Sequence, residues 1–195
     1  MNARQKTMTR STLAITCLTA ALSVGVLADD EAANTPYMAV DQYGRCYARS
    51  VPAEAYGSRG ETKIYQVGTG QDRLIDTYAW YARQIYLECN TRMPNGQSAT
   101  TVVQLGPWPR GQKASNDELA LAFYARGALL RRYSTLDIAG ARDHVSASVS
   151  HYTVISRVEG YVPVGNTAQS AFAIVTVDGR RLVFDPATAA KIQLP

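Results

Sequence analysis

FAIVTVDGRRLVFDP, residues 172–186, sets two β-rich runs on either side of Asp178-Gly179. A two-residue type I′ hairpin loop needs positive φ at both central positions, and an Asp-Gly pair tolerates that conformation. The pair therefore predicts a β-hairpin that closes the chain. Working backwards, YMAVDQYGRCYARSVP (37–52) predicts strand, turn at Tyr43-Gly44, strand. TKIYQV (62–67) alternates Ile64 and Gln66 against Tyr65 and Val67, and IYLECN (85–90) leads through Met93-Pro94-Asn95-Gly96 into SATTVVQL (98–105). Gly44, Gly127 and Gly179 each separate a pair of apolar runs, but their spacing is unequal and defines no fixed repeat.

Two stretches read as either helix or strands. Residues 73–89, RLIDTYAWYARQIYLEC, bring Leu74, Tyr78, Tyr81 and Ile85 near one helical face, while their aromatic content suits two strands equally well. Residues 117–133, DELALAFYARGALLRRY, have Gly127 at the centre, which favours a hairpin over an unbroken helix. The fold class is all-β, mainly antiparallel hairpins in a barrel or sandwich-like arrangement, with room for one short helix.

The first 28 residues read as a leader. Arg4, Lys6 and Arg10 precede an uncharged stretch from Ser11 to Ala28, and Val26-Leu27-Ala28 supplies small-residue cleavage chemistry before Asp29, Asp30 and Glu31. This pattern predicts a secretory signal peptide over 1–28, a flexible lead-in over 29–36 and a single β-rich domain over 37–195. A retained membrane anchor is the competing reading, but Ser11, Thr12, Thr16 and Thr19 break the apolar stretch and leave it short of the ~20 residues a span needs. Cys17 lacks the small neighbours of a lipid-attachment site. The expected location is periplasmic or secreted, with no membrane span after cleavage.

Removing the leader changes the charge argument. Three of the 20 basic residues and none of the 16 acidic ones precede Asp29, which leaves 17 against 16. A nearly neutral domain has no basic face for nucleic acid, and Arg131-Arg132 and Arg180-Arg181 are the only basic pairs beyond the leader. Cys46 and Cys89 remain after cleavage, and in an oxidising compartment an even pair predicts a disulfide. No metal site and no cofactor is expected.

The densest group of chemically active side chains is RDHVSASVSHYTV, residues 142–154, which contains both histidines. As one strand it puts His144, Ser146, Ser148, Ser150 and Tyr152 on one face and Val145, Ala147, Val149, His151 and Thr153 on the other. Histidines on opposite faces cannot share a reaction, so a half-buried strand is the favoured reading. The enzyme alternative is a small secreted hydrolase in which Asp143 orients His144 toward a distant nucleophile. There is no GxSxG elbow, no phosphate loop and no HExxH helix, and VGTGQD (67–72) reads as a turn.

Aromatic residues are the remaining distinctive feature. The chain has twelve tyrosines, and GPWPRG (106–111) frames Trp108 between two prolines. The prolines fix an extended or turned backbone, so Trp108 is either a rigid binding element or a lid over the core. Trp108, Arg110, Trp80 and Tyr81 are the candidate binding residues, although the group Tyr78, Trp80, Tyr81 and Tyr86 also suits cross-strand packing. The favoured function is a non-catalytic exported domain that binds a protein partner or glycan of the cell envelope. Inhibition of a secreted enzyme is a further alternative.

Overall fold

The structure is a computed structural model that describes residues 31–165 and 169–193 of the chain. The expected leader, with Cys17, lies outside the described residues. Three four-stranded antiparallel sheets follow one another along the chain. The first comprises β1 (Tyr37–Val40), β2 (Cys46–Pro52), β3 (Gly60–Gln66) and β4 (Arg73–Tyr78). The second comprises β5 (Ile85–Arg92), β6 (Ser98–Leu105), β7 (Leu119–Ala125) and β8 (Ala128–Ser134). A five-residue helix α1 (Thr135–Ala139) and a small hairpin, β9 (Ser146–Ala147) with β10 (Tyr152–Thr153), come next. The third sheet comprises β11 (Ile155–Pro163), β12 (Ser170–Thr176), β13 (Arg181–Phe184) and β14 (Lys191–Ile192). The all-β fold is as the sequence predicts. Among the described residues no helix is long and apolar enough to cross a membrane.

Strands β5 to β7 of the middle sheet are buried on both faces, and alternate residues enter different cores, whereas β8 is largely exposed. Val103, Leu121 and Phe123 pack with Phe172, Ile174 and Phe184 of the third sheet. Leu87, Cys89 and Val102 pack with Ala48, Ile64 and Tyr78 of the first. This double burial is why β7 reads as a near-continuous apolar run, without the alternation of a half-exposed strand. Phe123 sits in the larger core with its ring 5.8 Å from Phe172 and 5.3 Å from Phe184, and its area burial is supplemented by edge-on and tilted aromatic contacts. The Cys46–Cys89 disulfide ties β2 to β5, and so the first sheet to the second, across a Cα separation of 6.2 Å.

Turn chemistry differs in detail from expectation. At Asp178-Gly179 only the glycine has positive φ (83°). Gly179 N donates to Thr176 O and Thr176 N to Arg180 O, which makes a three-residue loop ending in a left-handed glycine in place of a type I′ turn. The Thr176 hydroxyl explains the change, because it accepts from Arg180 N and donates to the Asp178 carboxylate, fixing the wider loop. Met93 to Gln97 repeats the same hydrogen-bond pattern around Gly96. The doubly left-handed pair is Arg126-Gly127 (φ 52° and 74°), inside the β7–β8 hairpin.

The undecided stretch 73–89 resolves into β4 and β5. The short helix lies elsewhere, at 135–139, where Ser134 and Asp137 form a reciprocal capping box and Gly140 closes the C-terminus at φ 74°. Residues 142–154 are not one half-buried strand. His151 bridges outward to Arg110, and within the stretch only Tyr152↔Ala147 and Thr153↔Ser146 pair with one another. Between them Ser148 N and Oγ both donate to His151 O, at 2.8 and 3.1 Å. Serine side chains compete with ladder bonds in this way, so the alternation drawn from sequence does not apply across the turn.

Candidate functional site

Trp108 reaches its position through a tight exit from β6. Gly106 N donates to Ala120 O at 2.9 Å, and a Cβ on Gly106 would lie 1.8 Å from Leu119 O, so the chain can run this close to β7 only at glycine. Pro107 and Pro109 then frame the indole. Pro109 O accepts from Tyr152 N (3.1 Å) and Gly111 N donates to Ser150 O (2.9 Å), forming an isolated bridge between Arg110 and His151. Gln112 Nε2 adds bonds to Ser148 O and Val149 O. The proline loop is thereby clamped on the β9–β10 turn, and the indole lies on the His151 imidazole with centroids 5.1 Å apart and planes 21° from parallel. Trp108 stays 49 % exposed and joins none of the three buried apolar clusters.

Beneath it, His151 is only 6 % exposed. Its Nδ1 is 2.8 Å from Ser150 Oγ, whereas Nε2 is buried without a hydrogen-bond partner. The Glu31 carboxylate stands 3.8 Å from that nitrogen and 3.6 Å from Arg110 Nη2. Glu31 begins a segment held to the first sheet and its connection to the second. Arg83 donates to Ala32 O and Ala33 O, Asn34 Nδ2 to Glu54 O and Gly57 O, and Tyr81 Oη to Thr35 O. Residues 32–35 of the expected lead-in thus hydrogen-bond to the rest of the domain.

Trp108 and Glu31 line a cleft of about 510 Å³ between the second and third sheets, bounded by residues 81–86, residues 105–109 and residues 153–158. Its walls combine apolar surface from Pro107, Leu119 and Val154 with the polar side chains of Arg83, Gln84 and Arg157. Burial pushes the Tyr86 phenol above its ordinary value, so the cleft keeps a neutral hydroxyl group there. A second, more polar cleft of about 700 Å³ lies beside the disulfide, and no aromatic side chain lines it.

Of the candidate binding residues, Trp108 and Tyr81 line the first cleft, with Tyr81 buried as a wall. Arg110 does not line the cleft but faces Glu31, which does, at 3.6 Å. Trp80 lies apart, stacked on Tyr78 at 5.3 Å and tilted against Tyr124 at 5.2 Å. Asp143 and His144 do not act on one another. Asp143 is exposed and pairs with Lys113 (3.4 Å), while His144 Nδ1 lies 3.2 Å from Asp178 Oδ2 and 3.3 Å from Ala139 O. His144 does not line the cleft.

The proximity of Asp41, Cys46 and Cys89 resembles a ligand set, but the disulfide consumes both sulfurs. The Asp41 carboxylate accepts from the backbone N–H groups of Arg45 and Cys46 and from Arg45 Nε. His151 and Glu31 are the site residues that sequence reasoning missed. Glu31 falls in the expected lead-in, and the Arg110–His151 bridge that places His151 under Trp108 joins segments about 40 residues apart with no local pattern. No protein-family model, no curated protein and no solved structure matches this chain.

Proposed function

We propose that this chain is a non-catalytic binding domain of the cell envelope whose ligand is a glycan seated in the cleft beside Trp108. The observation that carries the reading is the presentation of Trp108, half exposed, outside every core, and fixed by two prolines and a buried imidazole. A ring so held loses little freedom on stacking against the apolar face of a sugar. The cleft has the volume of small-ligand sites, roughly 300 to 1,000 Å³, and its Arg83, Gln84 and Arg157 side chains suit hydroxyl groups at the edges of such a ring. Export is supported by the leader pattern of residues 1–28 and by the use of both remaining cysteines in a disulfide.

The test is titration of the purified domain with a panel of envelope oligosaccharides, followed by tryptophan emission and calorimetry. A saturable response should appear for at least one glycan and weaken by about 2 kcal/mol or more, roughly 30-fold in Kd, in Trp108→Ala. The bound oligosaccharide should be recovered uncleaved. Cleavage would make the hydrolase reading the better one. A panel without binders, together with capture of a specific envelope protein, would move the function to a protein partner.

A further inference from the structure

We infer that the glycan is acidic and that its carboxylate takes the place now held by Glu31, between Arg110 and His151. The inference rests on the reading of the cleft as a glycan site and names the ligand class for it. Two independent observations point to a missing anion. His151 Nε2 is a polar atom on a side chain more than nine-tenths buried, and it lacks a hydrogen-bond partner. A buried donor or acceptor left unpaired loses its hydration without compensation. Moreover, the protein's own carboxylate already sits there, at 3.8 Å from Nε2 and 3.6 Å from Arg110 Nη2. Both distances exceed a direct hydrogen bond, so Glu31 marks where negative charge is favoured without making the bonds the site offers.

The Ser150 Oγ–His151 Nδ1 contact is compatible with either tautomer, and the one that an anion here requires has Ser150 Oγ–H donating to Nδ1 and the ring proton on Nε2, a donor aimed at the carboxylate. A ligand carboxylate free of the Glu31 backbone tether can close to hydrogen-bond distance on Nε2 and on the Arg110 guanidinium together. Its sugar ring then has Trp108 directly alongside, because Trp108 is stacked on the same imidazole. Arg83 on another wall adds positive charge and is steadied by the backbone carbonyls of Ala32 and Ala33, whereas the Arg157 charge is already met by Glu159 at 3.0 Å.

The experiment compares hexagalacturonate with the same oligosaccharide fully methyl-esterified, using wild type, Glu31→Gln and Arg110→Ala, with poly-L-glutamate as a competitor. The wild type should prefer the acid over the ester by about tenfold or more, the value of one charge-assisted contact. Glu31→Gln should tighten acid binding several-fold, and Arg110→Ala should bring the acid-to-ester ratio close to one. Equal binding of acid and ester overturns the acidic subsite while leaving the glycan reading standing. Failure of both probes while a neutral glycan binds does the same. Failure of every glycan removes the reading and the inference together. Saturable binding of poly-L-glutamate without hexagalacturonate binding assigns the subsite to a protein partner and overturns the inference.

Discussion

The two ends of the β5 neighbourhood treat buried polar groups in opposite ways. Beside the disulfide, Arg45 bridges Asp41 and Glu88 at 3.1 and 2.8 Å, and Glu88 also accepts from Gln42 and from Ser170 of the third sheet. That network joins all three sheets with its charges paired. Near Trp108 a buried imidazole nitrogen is left without a partner and a large aromatic is left half in solvent. Natural cores seldom leave such a group orphaned, and the exceptions concentrate where something else is meant to bind. The difference separates what holds the sheets together from what is available to a ligand.

The largest effect should come from breaking the paired end. Cys46→Ala should lower unfolding free energy by about 2–5 kcal/mol, the usual cost of losing a native disulfide from a small domain. Denaturant melts with and without reductant check it, and a wild type indifferent to reductant would contradict the assigned role. Glu88→Ala removes the carboxylate shared by Arg45 and Ser170. Arg45 is 38 % exposed and can rehydrate, so the expected loss is smaller, about 1–3 kcal/mol. A neutral outcome there would mean the network adds specificity of packing without net stability.

Trp108→Ala should do the reverse at the other end. Because the indole lies outside the buried clusters, the melting midpoint should move little, by less than about 1 kcal/mol in stability, while ligand affinity falls. A loss of ~3–5 kcal/mol, the range for truncating a buried aromatic, would show that Trp108 is a lid on the core and erase the contrast between the two ends.

Much of the scaffold was legible because local signals agreed with tertiary ones. β6 coincides with SATTVVQL, and Gly127 does divide β7 from β8. The disulfide followed from an even cysteine pair together with the expected oxidising compartment. The helix at 135–139 is too short to show apolar periodicity, and its local signals are the capping-box spacing of Ser134 and Asp137 and the glycine at 140. The site was less legible for a physical reason. GPWPRG announces an unusual loop, but what lies under Trp108 depends on a bridge to a serine-rich turn and on an N-terminal segment anchored by Arg83 and Asn34. Such pairings between distant segments leave no periodicity in either one.

The smallest predicted effect concerns the other histidine and completes the contrast. His144 and His151 come from one stretch, yet His144 belongs to a paired network. Asp178 faces Arg180 (2.7 Å), the Thr176 hydroxyl and His144, and Arg180 also donates to Ile138 O and Ala139 O at the end of α1. The Arg180 guanidinium, with help from Thr176, holds the Asp178 carboxyl down at about 2. An unfolded aspartate titrates near ~3.9. The folded value is depressed, so the stability this group contributes is present above pH ~4 and is lost as pH falls towards 2. Asp178→Asn should therefore melt below the wild type at pH 5, and the gap should shrink steadily as the pH is lowered to 2. Glu159 and Asp137, also held down by their partners, keep some acid sensitivity in the variant. Thermal melts of both proteins at half-unit steps from pH 5 to 2 check the sign. A gap that persists unchanged to pH 2 would mean that Asp178 acts through its shape in the turn and not its charge, and His144 would lose its place among the ionic supports.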